Sequence, residues 1–441
     1  MNRPNQNPDA AWQIRTLADS AKQLAERGEK GEAEKVYRQI LEVATFHVRA
    51  LNFLAVQSML RGEIDASERF LEQALRAAPE RPILHKHMAL VHQARGELDQ
   101  ALAGLDRALE LRPELSVCHL HRGDVLEAMG RHDEAVVSYW QAWRGFPNVE
   151  SPAEEELVPP VLRGLLRRAA GGLREAQAKL MRERLAPVQE RHGAAALARI
   201  DETMEVYLGL KRNPYTHALQ RPAFLYLPGL APRSFFERTE FPWTAGLEAE
   251  TPRIREELDA VLASDQGLEP YVKVDANVDP QQWRTLDRSR AWSALHLIKA
   301  GTRDELNSAR CPQTLRALEG VPLPRVPGHA PEAFFSILDP GTHIPAHFGL
   351  ANYKLATHLP LHVPPDCSIR VGNETRGWHE GECLIFDDSF QHEAWNRSEQ
   401  RRAVLIFDVW HPDVTPAERE GIAALVEAIE DFNRKYRPAA A

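Results

Sequence analysis

The sequence predicts a multidomain α + β protein, an N-terminal α-helical solenoid followed by a β-rich domain of the sandwich or jelly-roll kind. Three observations carry this. Glycines, small residues and prolines recur every 34 residues across the first third of the chain. From residue 219 the texture changes to short β-like runs broken by turn signals. At 441 residues the chain is also too long for one ordinary core, so two or three domains are expected.

Bulk composition excludes several classes. With 43% apolar and 27% charged residues this is a globular composition. A net charge of -9 argues against a general nucleic-acid binder, so none is expected as a partner. No apolar run reaches ~18 residues, and no membrane association is expected. The opening MNRPNQNPDAAW has no secretory hydrophobic region. The four cysteines are scattered without a CxxC pair, which fits neither a disulfide framework nor a thiolate metal site. A cytoplasmic location is expected on these grounds.

Residues 1–16 are read as a flexible N-terminus and 17–148 as the repeats. Gly28, Gly62, Gly96 and Gly130 share the period, as do Ala33, Ser67, Ala101 and Ala135. Pro79, Pro113 and Pro147 keep the same step, and Ala74, Ala108 and Ala142 place small residues where paired helices approach. Each unit reads as two amphipathic helices with a glycine turn between them. The pattern resembles the tetratricopeptide repeat family. Such arrays present a concave face suited to peptides, so a protein or peptide partner is expected. A purely stabilising or dimerising array is the alternative. Residues 149–218 keep leucines at helical spacing and are read as a capping and linking region.

Residues 219–441 are read as the β-domain with a C-terminal helix. Its runs are FLYLPGL, AFFSILDPG, LATHLPLHV, CSIRVGN, CLIFDD and AVLIFDVW, with DPG, PPD, GNET and HEG as turns. Thr415-Pro416 supplies an N-cap and first helical residue for the last helix. Within this region GTHIPAHFGLANYKLATH holds His343, His347 and His358 and no acid, and His392 follows 45 residues after His347. Two imidazoles brought together at strand ends could hold a divalent transition metal. Period-2 alternation puts Arg402 on one face with Val404, Ile406 and Asp408. A buried arginine needs an anion, and Asp408 and Asp387 are the internal candidates. Lys354, Ala356 and His358 share a strand face that suits an interior holding a small anion.

The stretches GTHIPAHFGLANYKLATHLPLHV, IRVGNETRGWHEGECLIFDDSFQHEAWN and RAVLIFDVWHPDVT, with LPGL and FPW upstream, resemble the aspartyl/asparaginyl β-hydroxylase family. The resemblance spans about residues 219–420. It implies a double-stranded β-helix (jelly-roll) oxygenase that uses Fe(II), 2-oxoglutarate and O2. It also implies that glycine, here Gly349, replaces the usual metal carboxylate. By the same resemblance His347 and His392 are the metal ligands. Arg402 and Ser336 hold the far carboxylate of 2-oxoglutarate, and His358 contacts its metal-proximal end. One residue departs from the pattern: Ala356 stands where the family often has an arginine that contacts cosubstrate and acidic substrate. Lys354 and Arg370 are candidates to replace that charge. Asp388 and Asp387 are read as supporting groups, and Trp378, Trp395 and Trp410 as packing.

The expected reaction is β-hydroxylation of an Asp- or Asn-like residue in a protein or peptide held by the repeats. A non-catalytic binding scaffold with a degenerate oxygenase domain is the alternative. Acyl-chain hydroxylation and halogenation through the vacant ligand position are further readings.

Overall fold

In the computed structural model the described residues are 8–143, 145–146, 158–264, 266–274 and 281–436. The chain divides into two compact units, residues 1–176 with 434–441, and residues 177–433.

The first unit is built from helix pairs α1 (Pro8–Glu26) and α2 (Lys30–Val43), α3 (Val48–Leu60) and α4 (Ile64–Ala77), α5 (Pro82–Ala94) and α6 (Leu98–Leu111), and α7 (Ser116–Ala128) and α8 (His132–Trp143). Helix α1 begins at Pro8, so part of the stretch expected to be flexible is helical. The periodic glycines have a conformational cause. Gly28, Gly62, Gly96 and Gly130 adopt φ of 84°, 78°, 76° and 74° in the turn inside each pair. A Cβ there would meet nothing within 4 Å, so the left-handed backbone and not crowding selects glycine. The periodic small residues Ala33, Ser67, Ala101 and Ala135 are fully buried. Pro147 lies outside the described residues.

Helix α9 (Pro160–His192) occupies much of the expected linker. Its Leu165, Leu166 and Ala169 pack with Tyr139 in the first unit. Its Met181, Leu185 and Val188 pack in the second with Ile422 and Leu425. Those two belong to the last helix, α15 (Pro416–Tyr436), which follows α10 (Ala198–Tyr207), α11 (Thr244–Ala249), α12 (Thr251–Ser264), α13 (Glu305–Arg310) and α14 (Pro312–Leu318). Its start is as expected: Glu418 N–H donates to Thr415 Oγ1 (3.3 Å), and Thr415 N–H donates to the Glu418 carboxylate (2.9 Å).

The second unit holds two antiparallel sheets. Its strands are β1 (Phe235–Phe236), β2 (Glu269–Pro270), β3 (Trp292–Lys299), β4 (Thr302–Arg303), β5 (Ala333–Leu338), β6 (His343–His347), β7 (Lys354–His362), β8 (Cys367–Val371), β9 (Glu374–Arg376), β10 (Leu384–Phe386), β11 (His392–Asn396) and β12 (Arg402–Trp410). The larger sheet runs β1-β10-β7-β12-β5-β3-β2 with β4 on β3, and the smaller runs β6-β11-β8-β9. Apolar residues of both sheets meet in one core, including Trp292, Leu338 and Phe386 from the larger and Ile344, Ile369 and Ala394 from the smaller. No strand pair among the described residues joins the two sheets, so the sandwich is not a hydrogen-bonded closed barrel.

One expected strand is absent. FLYLPGL forms no strand: Leu225 makes a single bridge to Ala351. Gly229 breaks the run with φ of 75°. The Asn352 amide replaces a ladder neighbour, accepting from Leu227 N–H (2.7 Å) and donating to Leu227 O (2.9 Å).

Candidate active site

The two candidate metal-binding histidines stand opposite one another. His347 ends β6, His392 begins β11, and the two residues are register partners. Their rings lie 4.1 Å apart at 53°. His347 Nδ1 is 2.8 Å from Pro345 O, and His392 Nδ1 is 2.9 Å from Phe390 O. A carbonyl oxygen only accepts, so each Nδ1 carries a proton and each Nε2 keeps its lone pair. Burial, then the neighbouring His392, pulls the His347 pKa down to about 3, and burial pulls His392 down to about 4. Both rings are therefore neutral, the form that ligates a metal.

The pair opens into a cavity of about 510 Å³. Ser336, Lys354, Ala356, His358, Asp388 and Arg402 also line it. Arg402 is 1% exposed. Neither internal acid pairs with it. Asp408 accepts from Lys354 Nζ (2.6 Å), and Asp387 accepts from Gln220 Nε2 (2.8 Å) and Ser389 N–H (2.9 Å). Arg402 Nε and Nη1 have no hydrogen-bond partner. The guanidinium lies 5.1 Å from the centre of the Trp378 ring, and burial lowers its pKa to about 10. A buried charge with open donors is costly unless an anion joins it.

Two more polar groups flank this charge. Ser336, fully buried on β5, accepts from Trp292 Nε1 (3.1 Å) and keeps its own hydroxyl proton to donate. His358 on β7 accepts from Trp378 Nε1 at Nδ1 (3.2 Å). Burial, then Arg402 and His392, hold His358 far below the usual imidazole range. A neutral ring that accepts at Nδ1 carries its proton on Nε2. Trp378, expected only to pack, thus touches both His358 and Arg402.

Asp388 occupies the space of the missing acid. A Cβ built on Gly349 would overlap the Asp388 carboxyl. Gly349 N–H donates to Asp388 O (2.7 Å), and Asp388 Oδ1 has no partner. Burial raises the Asp388 pKa against the opposing pull of Lys354 and His347. No cluster of three or more potential metal ligands forms among the described residues.

The remaining candidates divide. Lys354 lines the cavity but is committed to Asp408. Arg370 is not brought in: it neighbours His392 across the strand pair but is register partner to Glu393, whose carboxylate accepts from its Nε at 2.7 Å. His343 is likewise drawn to Glu393 (2.9 Å) and stacks on Trp395. Sequence reasoning missed Tyr271, Trp283 and Trp292. Tyr271 stacks on Trp292 at 4.1 Å, and Trp283 meets His347 edge-on at 5.1 Å. WSALHLIK, the run that becomes β3, was the available signal for Trp292.

Comparison with known proteins shows what this region resembles. Residues 248–412 match the family model for aspartyl/asparaginyl beta-hydroxylase. An ornithine lipid ester-linked acyl 2-hydroxylase of Rhizobium tropici is 37% identical over 185 residues, covering 41% of this chain and 62% of that protein. The Homo sapiens aspartyl/asparaginyl beta-hydroxylase is 35% identical over 223 residues, covering 49% of this chain and 28% of that protein. The chain thus spans less than two thirds of the length of these two relatives. A crystal structure of MamA protein aligns with 40% of this chain at 19% identity and a TM-score of 0.29, too low to carry an argument. Through residues 248–412 the chain is similar to the aspartyl/asparaginyl β-hydroxylase family.

Proposed function

We propose that the C-terminal unit is an oxygenase that uses Fe(II), 2-oxoglutarate and O2 to hydroxylate the β-carbon of a residue in a protein or peptide. We read its two sheets as the halves of a double-stranded β-helix. The observation that carries the reading is Arg402, buried with two open donors in the same cavity as a neutral histidine pair. The donor set fits both groups. His347 and His392 would hold the metal through Nε2, since each Nδ1 is occupied by a carbonyl. Arg402 and the Ser336 hydroxyl would hold the distal carboxylate of 2-oxoglutarate. His358 Nε2–H would donate to the end nearer the metal. When bound, the metal and cosubstrate activate O2 and supply the oxygen atom inserted into the C–H bond.

The chain's own residues do the rest. Arg402 would orient the cosubstrate through its charge and its open N–H donors. Trp378 keeps His358 in the tautomer that donates into the cavity. Trp283, Trp292 and Phe386 give the cavity aromatic walls. The helical repeats would present the partner peptide.

A second reading is hydroxylation of an acyl chain, favoured by the lipid-acting relative from Rhizobium tropici. One assay separates these readings from a binding scaffold. Succinate release from 2-oxoglutarate with Fe(II) is measured for wild type, His347→Ala and Arg402→Ala. Slow turnover in wild type alone is expected, and a peptide or an ester-linked acyl lipid that accelerates it identifies the substrate class. Failure of wild type to bind both Fe(II) and 2-oxoglutarate would leave the scaffold.

A further inference from the structure

The charges lining the cavity indicate what its target looks like. Three cations line it: Arg402, Lys354 and Lys299. Arg402 lies with Ser336 and His358 at the cosubstrate end. Lys354 Nζ donates to Asp408 at 2.6 Å, and both side chains are buried. Lys299 is exposed at the far end of β3. The carboxylates are Asp388, Asp408 and Glu332. Asp408 also accepts from Glu332 N–H (2.8 Å), and Glu332 accepts from Ala300 N–H (2.6 Å). Among the buried lining groups, then, one lysine faces two carboxylates, and the remaining cation, Lys299, stands at the exposed end of β3.

Position 356 decides this balance. Ala356 is register partner to Asp408 across β7 and β12, so a side chain there would lie directly beside that acid. Its methyl group offers no donor. The neighbouring wall is apolar, with Trp283, Ile344, Phe348, Phe386 and Ile406. A carboxylate entering here would be desolvated without a partner and set against Asp388 and Asp408. An amide or aliphatic group would meet neither penalty.

We propose that the group this cavity accepts beside the histidine pair is uncharged, an amide or aliphatic side chain of a peptide, and that Ala356 sets the preference. This rests on the oxygenase reading above. It excludes aspartate while retaining asparagine among the expected targets.

The test uses the full-length, Fe(II)-loaded protein with 2-oxoglutarate. Degenerate peptide pools of equal length, identical except for a fixed central Asp, Asn or Leu, are compared by their acceleration of succinate release. At least one neutral pool should accelerate turnover roughly tenfold or more beyond the Asp pool. Ala356→Arg should narrow that ratio by raising the Asp response, and the wild-type comparison stands alone if this variant does not fold. An Asp pool as effective as the neutral pools overturns the proposal. So does basal turnover that no neutral pool accelerates. If the protein binds neither Fe(II) nor 2-oxoglutarate, the oxygenase reading has failed instead.

Discussion

Replacing Arg402 by methionine should make the ligand-free protein more stable while abolishing its response to 2-oxoglutarate. The guanidinium is 1% exposed, and two of its nitrogens lack partners. Burial lowers its pKa to about 10, well below the usual guanidinium range. At ~1.36 kcal/mol per pKa unit, holding the charge there costs about 3 kcal/mol. The contact with Trp378 at 5.1 Å returns part of that, roughly 1 kcal/mol. Methionine keeps an unbranched apolar stem and removes the charge. The expected net gain is about 1–2 kcal/mol, read as a higher urea midpoint without ligand. In wild type, 2-oxoglutarate at ~100 times its Kd should add about 2.7 kcal/mol, and in Arg402→Met it should add almost nothing. A variant clearly less stable than wild type without ligand would refute the view of Arg402 as an uncompensated charge. An undiminished response to 2-oxoglutarate would refute its role as the anion's partner.

Three further outcomes follow from the same structure. Lys354→Met should cost about 3–5 kcal/mol, because it leaves Asp408 buried without its 2.6 Å partner. The double variant with Asp408→Asn should recover most of the lost urea stability. Gly62→Ala should cost about 1 kcal/mol from its φ of 78° alone, seen as a lower melting temperature, and an unchanged melt would count against the conformational explanation. Stability should also fall with acid. His347 at about 3, and His392 and His411 at about 4, all lie below the ordinary 6.5 because burial disfavours their charged forms. For these three groups the unfolded chain binds more protons, so their contribution is lost from near pH 6.5 down to the folded values, against an opposite contribution from Asp387, which burial raises to about 7. Urea midpoints that rise between neutral pH and about pH 5 would reverse the sign and refute this.

The parts legible in the sequence were those governed by local rules. A glycine in each turn of the helical array is needed for a backbone conformation, so its spacing survives in the letters. The strands containing Lys354 and Arg402 announce themselves by apolar runs with polar residues in phase. What escaped was decided by contacts between distant segments. FLYLPGL looks like a strand until the Asn352 amide takes the place of a ladder neighbour. Nothing near Gly349 shows that Asp388 will fill its space, because the two meet only where loops of the folded sheets converge. Arg370 was a reasonable spare cation by charge alone, but its neighbour opposite is Glu393. Lys354 illustrates the same limit, since its phase was correct and its availability depended on Asp408.

The pairing of His347 with His392 makes the site a property of the sheet's hydrogen-bond ladder rather than of either loop. Facing residues in an antiparallel pair keep a fixed separation, whatever length of chain connects them. The turns that join the strands between Phe348 and Gln391 can therefore lengthen or shorten while the imidazoles stay in place. A one-residue slip of β6 against β11 turns one ring to the opposite face and dissolves the pair at a stroke. Remodelling of the surrounding chain is thus compatible with the histidine pair, whereas loss of this register is not.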